Sequence, residues 1–93
     1  MTGTEEFANV WDALADTPEQ AASLRARAQL MRDISEVVSA HGWTQTEAGR
    51  SCGLTQPRMN DLLRGRVSKF SLDALVDIAT RLGQHVTLVV TSV

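Results

Sequence analysis

Apolar residues recur at helical spacing in four stretches of this chain, and each stretch carries its own start and stop signals. In the first, Leu30, Met31, Ile34, Val37 and Val38 share one face. Thr17 and Pro18 open it as a cap and a first-turn proline, with Gln20 placed for a capping box, and Gly42 should close it as a left-handed terminator. Thr44 opens the second stretch: Thr44-Gln45-Thr46-Glu47 is a capping box, with Trp43 placed to staple onto Ala48. Ala48 and Cys52 lie inward, and Gly53 should end this helix after two turns. Leu54, Thr55 and Met59 repeat the staple-and-cap device for a third helix, with Pro57 in its first turn and Gly65 expected at its end. Phe70, Ser71 and Leu75 repeat it again for a fourth, whose inward face is Leu72, Leu75, Val76, Ala79 and Leu82 and whose stop is Gly83.

Beyond Gly83 the period changes. His85, Val86, Thr87, Leu88, Val89, Val90 and Thr91 are rich in β-branched residues and predict a strand. A lone strand leaves its backbone groups unpaired. Within the chain only Phe7–Trp11 offers a weak pairing candidate, so a second copy is the better one. The expectation is a homodimer joined at least partly through residues 85–91. Three segments result: an arm over 1–16, a helical domain over 17–84 and a terminal strand over 85–93.

At 93 residues with 43% hydrophobic and 22% charged residues, the chain is long enough for one ordinary globular domain with a modest core. No apolar run reaches the ~20 residues of a membrane span. The first residues have no basic and apolar leader pattern, and the single cysteine, Cys52, suits a reducing compartment. A cytoplasmic protein is expected. The net charge of −2 weighs against a nucleic-acid partner until its distribution is read. Residues 1–24 contain Glu5, Glu6, Asp12, Asp16 and Glu19 and no Lys or Arg, whereas residues 43–70 contain Arg50, Arg58, Arg64, Arg66 and Lys69 against Glu47 and Asp61. The cations concentrate in one stretch.

That stretch is also the one with a short helix, a glycine turn and a second helix, the arrangement that lays a helix into the major groove of DNA. In the third helix Met59, Leu62 and Leu63 point inward, which leaves Pro57, Asn60, Asp61 and Arg64 outward with Gln56 and Arg58 beside them. Gln and Asn can pair bidentately with adenine, and Arg with guanine. Gln45, at the start of the second helix, is placed to clamp a phosphate, and Arg66 and Lys69 to reach the backbone and set register. Asp61 fits this logic less well; it could accept from a cytosine amino group, but pairing with Arg58 or Arg64 is the better reading.

The run Trp43-Thr44-Gln45, then Gly53-Leu54-Thr55-Gln56 and Leu62-Leu63-Arg64-Gly65, resembles the Xre (Cro/repressor-like) helix-turn-helix family. With Thr55-Gln56-Pro57-Arg58-Met59-Asn60-Asp61-Leu62, Lys69-Phe70-Ser71-Leu72-Asp73 and the terminal strand, it looks like the HigA-type antitoxin branch, over roughly residues 7–91. The resemblance implies a mainly α, lambda-repressor-like bundle of four to five helices with one C-terminal β-strand. It also implies a dimer on a palindromic double-stranded operator, autorepression, and a RelE-like RNase toxin as partner. In that family the two glutamines, here Gln45 and Gln56, contact DNA. The alternative is a stand-alone or phage-derived Xre-type regulator with no toxin. Gly49 stands where the family usually has alanine and Ala48 where a larger apolar residue is common; both should loosen the second helix, by ~1 kcal/mol for a glycine in place of alanine.

Toxins of that type are basic, so an acidic and apolar arm with Phe7, Val10, Trp11 and Leu14 could mask them. An amphipathic helix packed on its own domain is the competing reading. Elsewhere the plainer readings prevail. Trp43 and Phe70 serve as staples and core, Cys52 is a core position, and Arg50 and Arg81 are solvated. His41 and His85 have no partners at metal-ligand spacing, and no nucleophile or phosphate loop accompanies the acidic pairs; no metal, cofactor or catalysis is expected.

Overall fold

Each helix begins where a hydroxyl can take an orphan amide. In a computed structural model that describes residues 16–92, Thr17 caps α1 (Pro18–His41) by accepting from the Gln20 amide at 3.1 Å. The reach back from Gln20 goes to the Asp16 amide, at 2.8 Å, one residue earlier than in a capping box. Glu19 in the first turn complements the positive helix end. Met31, Ile34 and Val38 are buried as the pattern predicts, while Leu30 and Val37 lie half-buried on the flank.

In α2 (Gln45–Cys52) the capping box closes in both directions: the Glu47 amide donates to Thr44 Oγ1 at 3.2 Å, and the Thr44 amide to Glu47 Oε1 at 3.1 Å. Thr55 Oγ1 accepts from the Arg58 amide at 3.4 Å to start α3 (Gln56–Leu63). Ser71 Oγ accepts from the Ala74 amide at 3.1 Å to start α4 (Leu72–Arg81). Both α3 and α4 stop two residues before the glycines expected to end them, because Arg64 and Leu82 take the cap positions and Gly65 and Gly83 follow in the left-handed region. Between them Val67–Lys69 form a single 3-10 turn that periodicity did not anticipate and that buries Val67. The inner face of α4 is Leu75, Ile78 and Ala79; Ile78 belongs to it as well, and Leu72, Val76 and Leu82 are only half-buried.

Helix α1 lies against α4, the 3-10 turn and α3, and α2 lies against α3 and α4. Met31, Ile34, Met59, Leu62, Leu75 and Cys52 form the deepest layer where these elements meet. Trp43 leans on this core and stacks flat on His41, with ring centroids 4.0 Å apart. Ala48 is fully buried, so its small size suits the packing there. Gly49 does not loosen α2. A Cβ at that position would stand 2.9 Å from the Leu54 carbonyl oxygen, and the Leu54 amide donates to the Gly49 carbonyl at 2.8 Å. The absent side chain is what lets the following turn close onto the helix.

The C-terminal β-strand is corrected. Among the described residues there is no strand: residues 84–92 follow α4 without regular structure. Val86 packs on the core, whereas Leu88, Val89 and Val90 are 75%, 83% and 95% exposed. A strand exists only by hydrogen bonding to a neighbour, and none of the described residues pairs with this segment. Phe7–Trp11, the internal candidate, and the proposed toxin contacts Phe7, Val10, Trp11 and Leu14 lie outside the described residues, as does almost all of the 1–16 arm.

Candidate nucleic-acid interface

The site is built around the turn Gly53-Leu54-Thr55. Gly53 holds φ at 73°, and its amide and that of Leu54 return to carbonyls of α2's last turn. The chain thereby reverses in three residues and enters α3 with Thr55 already in capping geometry. Arg81 of α4 closes over the turn, its guanidinium carbon 2.9 Å from where a Gly53 Cβ would stand. It places a positive group at the C-terminal end of α2, where the helix dipole favours one. Arg81 is exposed, as a solvated charge would be, and lies close against the turn.

Gln45 and Gln56 occupy the same place in their helices: each is the first helical residue, each follows a capping threonine, and each is exposed. Pro57 and Arg64 are exposed beside Gln56, and Asn60 is half-buried on the same helix. With eight residues at ~1.5 Å each, α3 is ~12 Å long. Among the predicted site residues, the side chains of Thr55, Arg58, Asp61 and Arg66 are engaged inside the protein. Asp61 pairs with neither Arg58 nor Arg64 as expected; its carboxylate meets Arg66 Nη1 at 2.9 Å, and its carbonyl accepts from the Arg66 amide at 3.0 Å. Arg58 Nη1 donates to the Lys69 carbonyl at 2.7 Å, and its guanidinium lies 4.1 Å over the Phe70 ring. Lys69 and Arg66 themselves are exposed on the loop that follows.

Arg27 is the residue the pattern missed. From α1 its Nη1 donates to the carbonyls of Val67 at 3.3 Å and Phe70 at 3.1 Å, and its Nε to Ser23 at 3.3 Å. The signal was present, since Arg27 falls four and seven residues before Met31 and Ile34, on the buried stripe. A cation on an apolar stripe needs acceptors, and an irregular turn supplies them.

Two titratable groups show the local electrostatics. Hydrogen bonds from Thr44, amide first and hydroxyl second, hold the Glu47 carboxyl below its ordinary range, with a smaller contribution from Arg50. Burial pushes the Cys52 thiol up, only partly offset by Arg81. Among the described residues no group of three or more His, Cys, Asp or Glu stands in metal-binding arrangement, and no helix is long and apolar enough to cross a membrane.

The family model described as a helix-turn-helix domain matches residues 13–91, nearly the whole chain. The chain belongs to the helix-turn-helix domain family. No curated protein matches it. Within this helix-turn-helix domain α2 and α3 are the two short helices joined through Gly53.

Proposed function

We propose that this helix-turn-helix domain is a sequence-specific DNA-binding transcriptional repressor that reads the major groove with α3. The observation that carries it is the Gly53 turn, which sets α3, with Gln56, Asn60 and its cap residue Arg64, beside the start of α2, where Gln45 sits. Gln56 and Asn60 are suited to adenine and Arg64 to guanine. Thr55 and Pro57 lie at the helix entry, and Gln45, Arg66 and Lys69 serve the phosphates. Binding of the purified chain to duplex DNA from its own upstream region is the test. Gln56→Ala should abolish preference for that sequence over a shuffled one, and raising salt should weaken binding steeply. Binding indifferent to sequence and to salt would refute it.

The exposed Leu88, Val89 and Val90 support a homodimer built through His85–Thr91, in which a second copy supplies the missing ladder partner. Two α3 helices held in fixed relation would then read a palindromic operator. Val89→Lys should convert a sedimenting dimer into a monomer; a wild-type chain monomeric at micromolar concentration overturns this part.

The finer reading is an antitoxin that represses its own operon and neutralises a basic RelE-like RNase. It rests on the resemblance and on the five acidic and no basic residues of positions 1–24. Co-purification with the product of the adjacent gene tests it. Deleting residues 1–14 should abolish neutralisation and spare operator binding. A regulator with no toxin partner would instead pull down nothing basic.

A further inference from the structure

We infer that Arg58, although it lies at the start of the reading helix, is a positioning residue that fixes the cationic loop 66–70 and does not itself read bases. The inference rests on the DNA-binding reading above. Three carbonyls of this loop accept from arginines: Val67 and Phe70 from Arg27 on the α1 side, and Lys69 from Arg58 on the α3 side. The loop's near end is tied by the Asp61–Arg66 pair. Exposed on this staked backbone are Ser68 and the two cations Arg66 and Lys69.

Arg58 is poorly placed to leave. Its 2.7 Å bond is a short, charge-assisted one, and its guanidinium plane is held 4.1 Å from the ring of Phe70, itself 2% exposed. One Nη1 donor serves Lys69; the Nε–Nη2 edge keeps its donors, so what withholds Arg58 from a base is the stacking of its guanidinium over Phe70 together with that bond. Its backbone is fixed too, since its amide is the one that Thr55 caps. Arg58 therefore acts through Arg66 and Lys69: with it in place the two cations are presented in one geometry, and without it the loop must be ordered at the moment of binding.

The three roles open to an arginine here predict different measurements. A base reader, when removed, changes preference at one base pair by about 5- to 150-fold. A phosphate contact weakens all duplexes alike and flattens the slope of log K against log salt by about 0.9. A positioning residue weakens all duplexes alike and leaves both the motif and the slope unchanged, because every contact is still made.

The experiment selects preferred sequences from a pool of random duplexes with the wild-type chain, Arg58→Met and Arg58→Lys. Affinity is then measured by fluorescence anisotropy for the selected duplex and a shuffled one across a salt series. The expected result for Arg58→Met is a loss of about 3- to 10-fold on both duplexes, with the same motif and slope. Arg58→Lys, which keeps the charge and loses the planar stack, should fall between. Phe70→Leu should reproduce the uniform loss with Arg58 intact, and the double variant should lose less than the two single effects combined. A changed base preference, a flatter slope or no loss at all overturns the assignment. If Phe70→Leu does not fold, the two Arg58 variants decide alone. A wild-type chain that selects no motif and ignores salt overturns the DNA-binding reading itself, and is thereby distinguished from failure of the Arg58 assignment.

Discussion

Replacing Gly49 by alanine sets two effects of known sign against each other. Gly49 is an interior residue of α2, and intrinsic propensity favours alanine there by about 1 kcal/mol. Against this, the new Cβ would stand 2.9 Å from the Leu54 carbonyl oxygen and 3.7 Å from Met59 Cβ, where 3.4–4 Å is ordinary contact. The Met59 distance is harmless. The Leu54 oxygen must retreat by about half an ångström, and it is backbone, not the end of a flexible side chain. Its freedom is small: the Leu54 amide is tied to the Gly49 carbonyl at 2.8 Å, and Met59 behind it is fully buried. Overpacking that moves backbone costs about 1–3 kcal/mol. The steric cost therefore exceeds the propensity gain, and Gly49→Ala should lose about 1 kcal/mol net.

For a domain of this size that loss lowers Tm by about 4–8 °C. Urea denaturation followed by circular dichroism should show a lower midpoint with an unchanged slope, because the surface exposed on unfolding does not change. A second consequence is functional. The retreating turn connects α2 to α3, so Gln45 and Gln56 would be displaced relative to each other. Operator affinity should fall even at temperatures where the variant is fully folded. A variant more stable than wild type, with undiminished affinity, would show that the turn has slack and that the contact does not set the α2–α3 approach.

Other expectations can be checked with the same preparations. Leu62→Ala, at a fully buried position in the deepest layer, should cost about 2–5 kcal/mol in urea denaturation, and the half-buried Leu63→Ala distinctly less. Gln56→Ala should leave the melting curve in place while weakening the preferred duplex about 5- to 150-fold relative to a shuffled one. The folded-state pKa of Glu47 is depressed, so its contribution is present above the unfolded carboxylate range and lost as pH falls through the folded value; Glu47→Gln should flatten stability against pH in the acid range. Cys52 should resist a thiol reagent in the native state and react in urea, since burial both shields the sulfur and disfavours its thiolate.

What could be read in the sequence follows the range of the interaction. Thr17, Thr44, Thr55 and Ser71 were identifiable as caps because a cap bonds an amide three residues away, and no other part of the chain has a say in it. Gln45 and Gln56 at the two helix starts followed from the same local rule. The partners of Arg58 and Asp61 did not. Helical spacing points Asp61 at Arg58 and Arg64, three residues to either side, but both real partners lie in the loop after α3, and that loop's path depends on the 3-10 turn that Arg27 holds from α1. Gly49 was misjudged for a related reason, because propensity sees the helix alone while the contact that matters comes from the next turn. The 85–91 segment has the composition of a strand, yet a strand is a relation between two segments, and composition cannot say where the second one is.

The same distinction explains why net charge is a poor guide to this surface. Of the cations near the motif, Arg27 and Arg58 donate to carbonyls, so their charge holds structure. Asp61 looks like a fault in a DNA-facing helix, but it is only 19% exposed and is neutralised by Arg66, which keeps 50% of its own side chain accessible. The pair cancels one of the loop's charges, but Arg66 keeps exposed donors beside Lys69, fixed in place. Removing Asp61 raises formal charge, yet it also frees the near end of the loop. If a rigid cationic loop matters more than one added charge, Asp61→Asn should weaken binding to every duplex; if charge alone matters, the same change should strengthen it.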